Sequence, residues 1–175
     1  HRLRLVVEDD GTDAGLDADA DRAAALCKAE GAREVRRATT AAERLALWKG
    51  RKVAFGAFGR LAPDLIVQDA TVPRTKLTEV LHRIGEIGAK HGFKVANVFH
   101  AGDGNLHPKL TFDRRKPGEV ARVEVASKEI MAACVAAGGT ITGEHGVGID
   151  KRKYMHLVYG PVELEAMRDA KRGFD

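Results

Sequence analysis

Apolar residues fall into two rhythms along this chain, and the switches between them mark out its elements. Leu77, Val80, Leu81, Ile84 and Ile87 recur at helical spacing between Pro73 and Gly92, which predicts an amphipathic helix with a proline start and a glycine stop. The stretch PGEVARVEVASKEIMAACVAAGG (117–139) predicts a longer helix, again ending on glycine, and PVELEAMRDAKRG (161–173) a last one. Nearer the start, a helix is expected from an Asp17 N-cap to a stop at Gly31. Another begins at a Thr40–Glu43 capping box and ends at Gly50, with residues 51–64 as a connector. Shorter runs predict strands at 3–7, 33–38 and 65–69, then a pair at 94–100 and 106–112 around a glycine-containing loop. The order is β-α-β-α, then β-α-β-β-α, then α. A hairpin with helices between the other strands predicts an α+β fold: a ferredoxin-like antiparallel sheet with helices packed on one face, plus C-terminal helices.

Composition narrows the functions open to such a fold. At 175 residues the chain is read as one domain, 1–175, with a real core. A formal charge of +4, not gathered into a basic block, and only 5% aromatic residues speak against a nucleic-acid surface. Cys27 and Cys134 lie far apart in apolar helical stretches and share no metal-type spacing, so buried free thiols in a reducing compartment are expected. No apolar run approaches the roughly 18 residues of a membrane span, and no signal peptide is visible. The chain opens on His1 and stops at KRGFD, so both ends read as cut and a piece of a longer protein is expected.

The chemistry concentrates in HAGDGNLHP, residues 100–108. If the flanking strands pair, His100 ends one and His107 begins the other, and direct cross-strand neighbours have Cβ atoms about 4.5–5.5 Å apart. Two imidazoles at that separation can converge on one divalent ion, at about 2.0–2.1 Å each. Gly102 and Gly104 permit the positive φ angles of a tight loop, and Asp103 and Asn105 add turn hydrogen bonds. A third ligand is sought in GGTITGEHGVG (138–148), where Glu144 and His145 stand among glycines. Neighbouring side chains of an extended segment point to opposite sides. Glu144 is therefore assigned as ligand and His145 as free base. Two histidines and a carboxylate leave positions open for substrate, as catalytic zinc sites do; the same set also matches non-haem iron.

Plainer roles stand beside these. The two histidines could cap strand ends, and the glycines around Glu144 could form a turn without a ligand. GEHGVG has glycine spacing that could cradle an anion, but it lacks the Lys-Ser/Thr of a phosphate loop. His82, His91 and His156 read as surface or packing residues. A self-contained metal hydrolase, with His145 activating water, and a non-catalytic α+β binding module are the competing functions.

HAGDGNLHP with GEHGVG downstream resembles the C-terminal domain of FAD-linked oxidases of the vanillyl-alcohol-oxidase type, within the branch of glycolate oxidases and D-lactate dehydrogenases. LWKGRKVAFGAFGR, QDATVPRTKL and HGFKVANVFHAGDGNLHP follow the same family order, and the resemblance runs from about residue 3 to 175. It implies a flavin enzyme that oxidises a 2-hydroxy acid to a 2-oxo acid. His100, His107 and Glu144 would hold a divalent metal, zinc above all, and His145 would take the hydroxyl proton as hydride moves to FAD. Arg74, at a helix start, is the expected partner of the substrate carboxylate, with Lys76 in reserve and Asn105 as a hydrogen-bond donor. No GxGxxG or other dinucleotide signature occurs, so the FAD-binding domain, or a partner subunit carrying it, is expected outside this chain, which alone would be inactive. A cytoplasmic protein is expected, with room for peripheral membrane association of the complete enzyme.

Overall fold

The computed structural model describes residues 4–8 and 13–174. The chain divides into two compact units, one up to Phe55 and one from Gly56 onward. The first is built on helix α1 (Asp13–Ala29) and most of helix α2 (Ala41–Ala57). Gly31 stops α1 as expected: at φ +84° it takes the left-handed turn, and the Ala32 amide reaches back to the Cys27 carbonyl at 2.9 Å. The capping box forms too, with the Glu43 amide donating to Thr40 Oγ1 at 3.2 Å and the Thr40 amide to Glu43 Oε2 at 3.1 Å.

Several boundaries differ. Helix α1 begins at Asp13, so Asp17 lies inside it, and α2 runs through Gly50 over half of the expected connector. Neither Gly50 nor the later Gly56 adopts positive φ, and the helix runs through both to Ala57. The strands expected at 3–7 and 33–38 do not form among the described residues. Residues 33–37 are all exposed, and besides the small Ala38, REVRRA offers only Val35 as an apolar side chain to bury. A strand without a partner edge and an apolar face has nothing to hold it.

The second unit holds the sheet: β1 (Asp64–Val67), β3 (Lys94–Asn97) and β5 (Pro108–Phe112) in the order β1-β5-β3. Both outer strands run antiparallel to β5. This is the split βαβ of a ferredoxin-like sheet, without a fourth strand among the described residues. A short pair, β2 (Ala70–Thr71) with β4 (Asn105–Leu106), continues the register of β1 with β5; the strand expected at 65–69 stops at Val67, and β2 resumes beyond Gln68–Asp69. Helices α3 (Leu77–Lys90) and α4 (Glu119–Ala136) cover one face, and α5 (Pro161–Phe174) closes the chain.

Alternation along the strands explains the layering. Leu106 and Leu110 join Val80, Ile84 and Ile87 of α3 and Val123, Ile130 and Met131 of α4 in one apolar core. Gln68 faces the same side and meets α4 through a buried bond from Nε2 to Ser127 Oγ, 2.9 Å long. The intervening positions Asn105, His107, Lys109 and Thr111 therefore face away from the helices, and they are buried as well.

Candidate metal and proton-transfer site

The site grows out of two continuous registers. Val67 pairs Lys109 and Ala70 pairs Leu106, so Asp69 falls opposite His107. On the other side Asn97 pairs Pro108, and the same register brings His100 opposite Asn105, where it forms an isolated bridge. His100 and His107 are thus diagonal neighbours, not the direct pair expected from the sequence. Their rings still meet, edge to face, with centroids 5.6 Å apart, because long side chains reach across a diagonal. Ala101–Gly104 form the loop between them, and Gly104 (φ +72°) is indispensable: a Cβ there would stand 2.1 Å from the Val72 carbonyl oxygen. Gly102, by contrast, does not take positive φ.

The second segment arrives by way of α4. After the helix the chain bridges Thr140 to Thr71 and then lays GEHG over the histidines. Gly143 lets it come close, since a Cβ would stand 2.4 Å from Asn105 Oδ1. Glu144 Oε1 then lies 2.8 Å from His107 Nε2, 3.9 Å from His100 Nε2 and 3.8 Å from His145 Nε2. The His145 ring stacks on His107 at 4.9 Å, their planes 12° apart. His100, His107 and Glu144 offer ligand atoms all within 4.8 Å of one another. His107 is 6% exposed, whereas the other members are open to solvent. Burial lowers the His107 pKa below its ordinary value, against the opposing charges of Asp69 and Glu144, which favours the neutral imidazole that binds metals.

Asp69 is the residue that the sequence left unread. It is fully buried, and its Oδ2 accepts from Thr142 Oγ1 (2.7 Å), the amides of Gly143 (2.9 Å) and His145 (3.0 Å), and Lys151 Nζ (3.1 Å). Burial alone would raise its pKa; the Thr142 hydroxyl, the two amides and the Lys151 ammonium outweigh it and hold the carboxyl well below the usual range. Asp69 with His107 and His145 also satisfies metal-ligand spacing, but its oxygens are already engaged. An acidic residue closing the apolar run LIVQD was the available signal, because a carboxylate is seldom buried unpaired.

The remaining predicted residues lie around this centre. Arg74 and Lys76 sit in a turn of 3-10 helix leading into α3, and the Arg74 backbone flanks Gly104. Both side chains are exposed; Lys76 is paired with Glu79 at 2.8 Å, and Arg74 makes no ion pair among the described residues. Asn105 is buried between Thr71 and Gly143, and its Oδ1 finds no hydrogen-bond partner. His82 and His156 are exposed, and His91 packs against Glu129 at 3.1 Å. Both cysteines are free thiols; Cys134 is buried and Cys27 half-buried. No helix among the described residues is long and apolar enough to cross a membrane.

An antiparallel sheet backed by two helices, with histidines and a glutamate gathered on its other face, defines an α+β domain built around a candidate metal centre. The chain belongs to the family of FAD linked oxidases, C-terminal domain, whose model matches residues 1–175. It is 42% identical over 171 residues to the glycolate oxidase subunit GlcD of Escherichia coli (strain K12), covering 98% of this chain and 34% of that protein. The GlcD of Bacillus subtilis (strain 168) is 40% identical over 98% of the chain and 36% of its own length. The mitochondrial D-lactate dehydrogenase [cytochrome] of Arabidopsis thaliana is 32% identical over 74% of the chain and 23% of its own length. The chain thus spans about a third of the length of its glycolate oxidase relatives.

Proposed function

We propose that this domain is the metal- and substrate-binding part of an FAD-dependent 2-hydroxyacid dehydrogenase or oxidase of the glycolate or D-lactate type. The observation that carries this reading is the convergence of His100, His107 and Glu144 with the His145 ring stacked beside them. Two imidazoles, a carboxylate and the unpartnered Asn105 Oδ1 fit a divalent ion, zinc by ligand type, with a polar substrate next to it. Bound there, the metal supplies a Lewis acid for the substrate's hydroxyl and carboxylate, and FAD, held outside these residues, supplies the hydride acceptor.

The chain's own groups do the rest. His100, His107 and Glu144 hold the ion, and the exposure of Glu144 and His145 leaves the substrate a way in. His145 takes the hydroxyl proton at Nε2 and, being open to solvent, can release it there. Arg74 grips the substrate carboxylate with its guanidinium fork. Lys76, engaged with Glu79, is the weaker candidate, and Asn105 adds an amide at the floor of the site. The complete enzyme would work in the cytoplasm, with peripheral association with a membrane open to it.

Elemental analysis of the full-length protein and of His107→Ala tests the centre. A stoichiometric divalent metal is expected in the first and its loss in the second. Metal-free native protein that still oxidises 2-hydroxy acids with flavin reduction would overturn the assignment.

A further inference from the structure

The Asp69 carboxylate lies beneath the site, on the same sheet face, and belongs to neither the expected ligands nor the expected base. Its Oδ2 takes the hydroxyl of Thr142 and the amides of Gly143 and His145, while Oδ1 takes the Glu144 amide at 3.3 Å. Three successive backbone N–H groups thus point at one buried side chain from another segment. Lys151 locks the arrangement from the far side of the loop, donating from Nζ to the Asp69 carbonyl at 2.6 Å and to the carboxylate at 3.1 Å. Oδ1 also faces His107 Nδ1 at 3.8 Å, and that nitrogen is buried without a hydrogen-bond partner. Nε2 of the same ring is the one that meets Glu144.

We propose that Asp69 is a positioning residue: clamped by Lys151, it gathers the Gly143–His145 backbone and faces His107 Nδ1, so that Glu144, His107 Nε2 and His145 meet at one point. The inference rests on the metal-site reading above and extends it to a residue that touches neither metal nor substrate. Glu144 and His145 stand in a glycine-rich loop with no regular secondary structure to fix them. A carboxylate that binds consecutive amides does for such a loop what a ladder does for a strand. A carboxylate behind the second nitrogen of a ligand histidine also favours the tautomer with Nε2 free.

The test uses the full-length protein with Asp69→Asn, and Gln68→Leu as a control that breaks a buried bond on the opposite sheet face. Zinc affinity is measured by competition with a chromophoric chelator, and hydrogen exchange is followed in peptides covering residues 141–147. Asp69→Asn is expected to weaken zinc binding about 10- to 100-fold and to speed exchange in that segment, whereas Gln68→Leu does neither. Native zinc affinity, or unchanged exchange, in Asp69→Asn overturns the proposal. Should native protein itself bind no zinc, the metal reading fails, while the exchange measurement still decides the role of Asp69. If Asp69→Asn does not fold, the pair Asp69→Asn with Lys151→Met, which leaves no unpaired buried charge, takes its place. Failure of that pair to fold also overturns the proposal, since Asp69 would then specify the fold and not the loop.

Discussion

Strand β5 and its extension β4 are buried on both faces, yet the faces share no chemistry. Toward the helices stand Leu106 and Leu110, each fully buried among Val80, Ile84, Ile130 and Met131. Away from them stand Asn105, His107, Lys109 and Thr111, buried to a similar degree and polar throughout. Lys109 lies near the Phe58 ring at 5.7 Å and donates to the His107 carbonyl at 3.3 Å. Apolar burial stabilises the fold in proportion to area and demands no particular geometry. Polar burial costs free energy unless each group finds a partner, and so it persists where a site requires it. One face specifies the domain; the other, on the proposed reading, carries its chemistry.

That division can be broken one face at a time. On the polar face, His145→Gln should lower turnover of the full-length enzyme about 100- to 10,000-fold, the usual worth of a general base, while metal content stays native. A parallel loss of metal would show that His145 is a ligand and not the base. On the apolar face, Leu110→Ala should cost about 2–5 kcal/mol in urea unfolding, from lost burial and the cavity it leaves. The folded fraction should retain its metal. A variant that kept its stability but lost metal would show that the faces are not separable.

What could be read from the sequence follows the same line. The glycines around His100, His107, Glu144 and His145 single those residues out, because tight turns let short segments bring ligand-type side chains to one point. The amphipathic pattern of α3 and the glycine stop of α1 were equally legible, being local. Diagonal placement of His100 and His107 was not, because it depends on where the Ala101–Gly104 loop closes and hence on register. Nor was Asp69, whose partners at Thr142–His145 and Lys151 come from the far end of the unit. Among the described residues the strands expected at 3–7 and 33–38 did not form, for a related reason: alternation describes a face but cannot supply the edge it must pair with. Gly50 shows the converse, a helix-breaking residue overruled by the good helix formers on either side of it.

A smaller effect is expected from protons on the buried carboxylate. The folded-state pKa of Asp69 lies well below its ordinary value near 3.8. Unfolded chain therefore binds the proton first as pH falls, so the stabilisation is complete above about pH 5 and is lost on acidification through pH 4 and below. The urea midpoint should fall over that window more steeply than in Asp69→Asn, which has no carboxylate to protonate. Equal slopes would place the acid sensitivity in other carboxylates.

The least effect, and the sharpest contrast, concerns Cys134. Like Asp69 it is fully buried, but it lies among the apolar side chains of α4 and the core, with no donor or cation among the described residues to favour its charged form. Burial therefore acts alone and pushes the thiol up to about 12, whereas around Asp69 the donors overcome it. Since the thiolate is the reactive species, Cys134 should stay unmodified by a disulfide reagent at pH 8 in native protein and react once urea unfolds it. Mass spectrometry separates it from the half-buried Cys27. Rapid modification of Cys134 in the native state would mean that the helix-facing side admits solvent, and the contrast between the two faces would then rest on residue type alone.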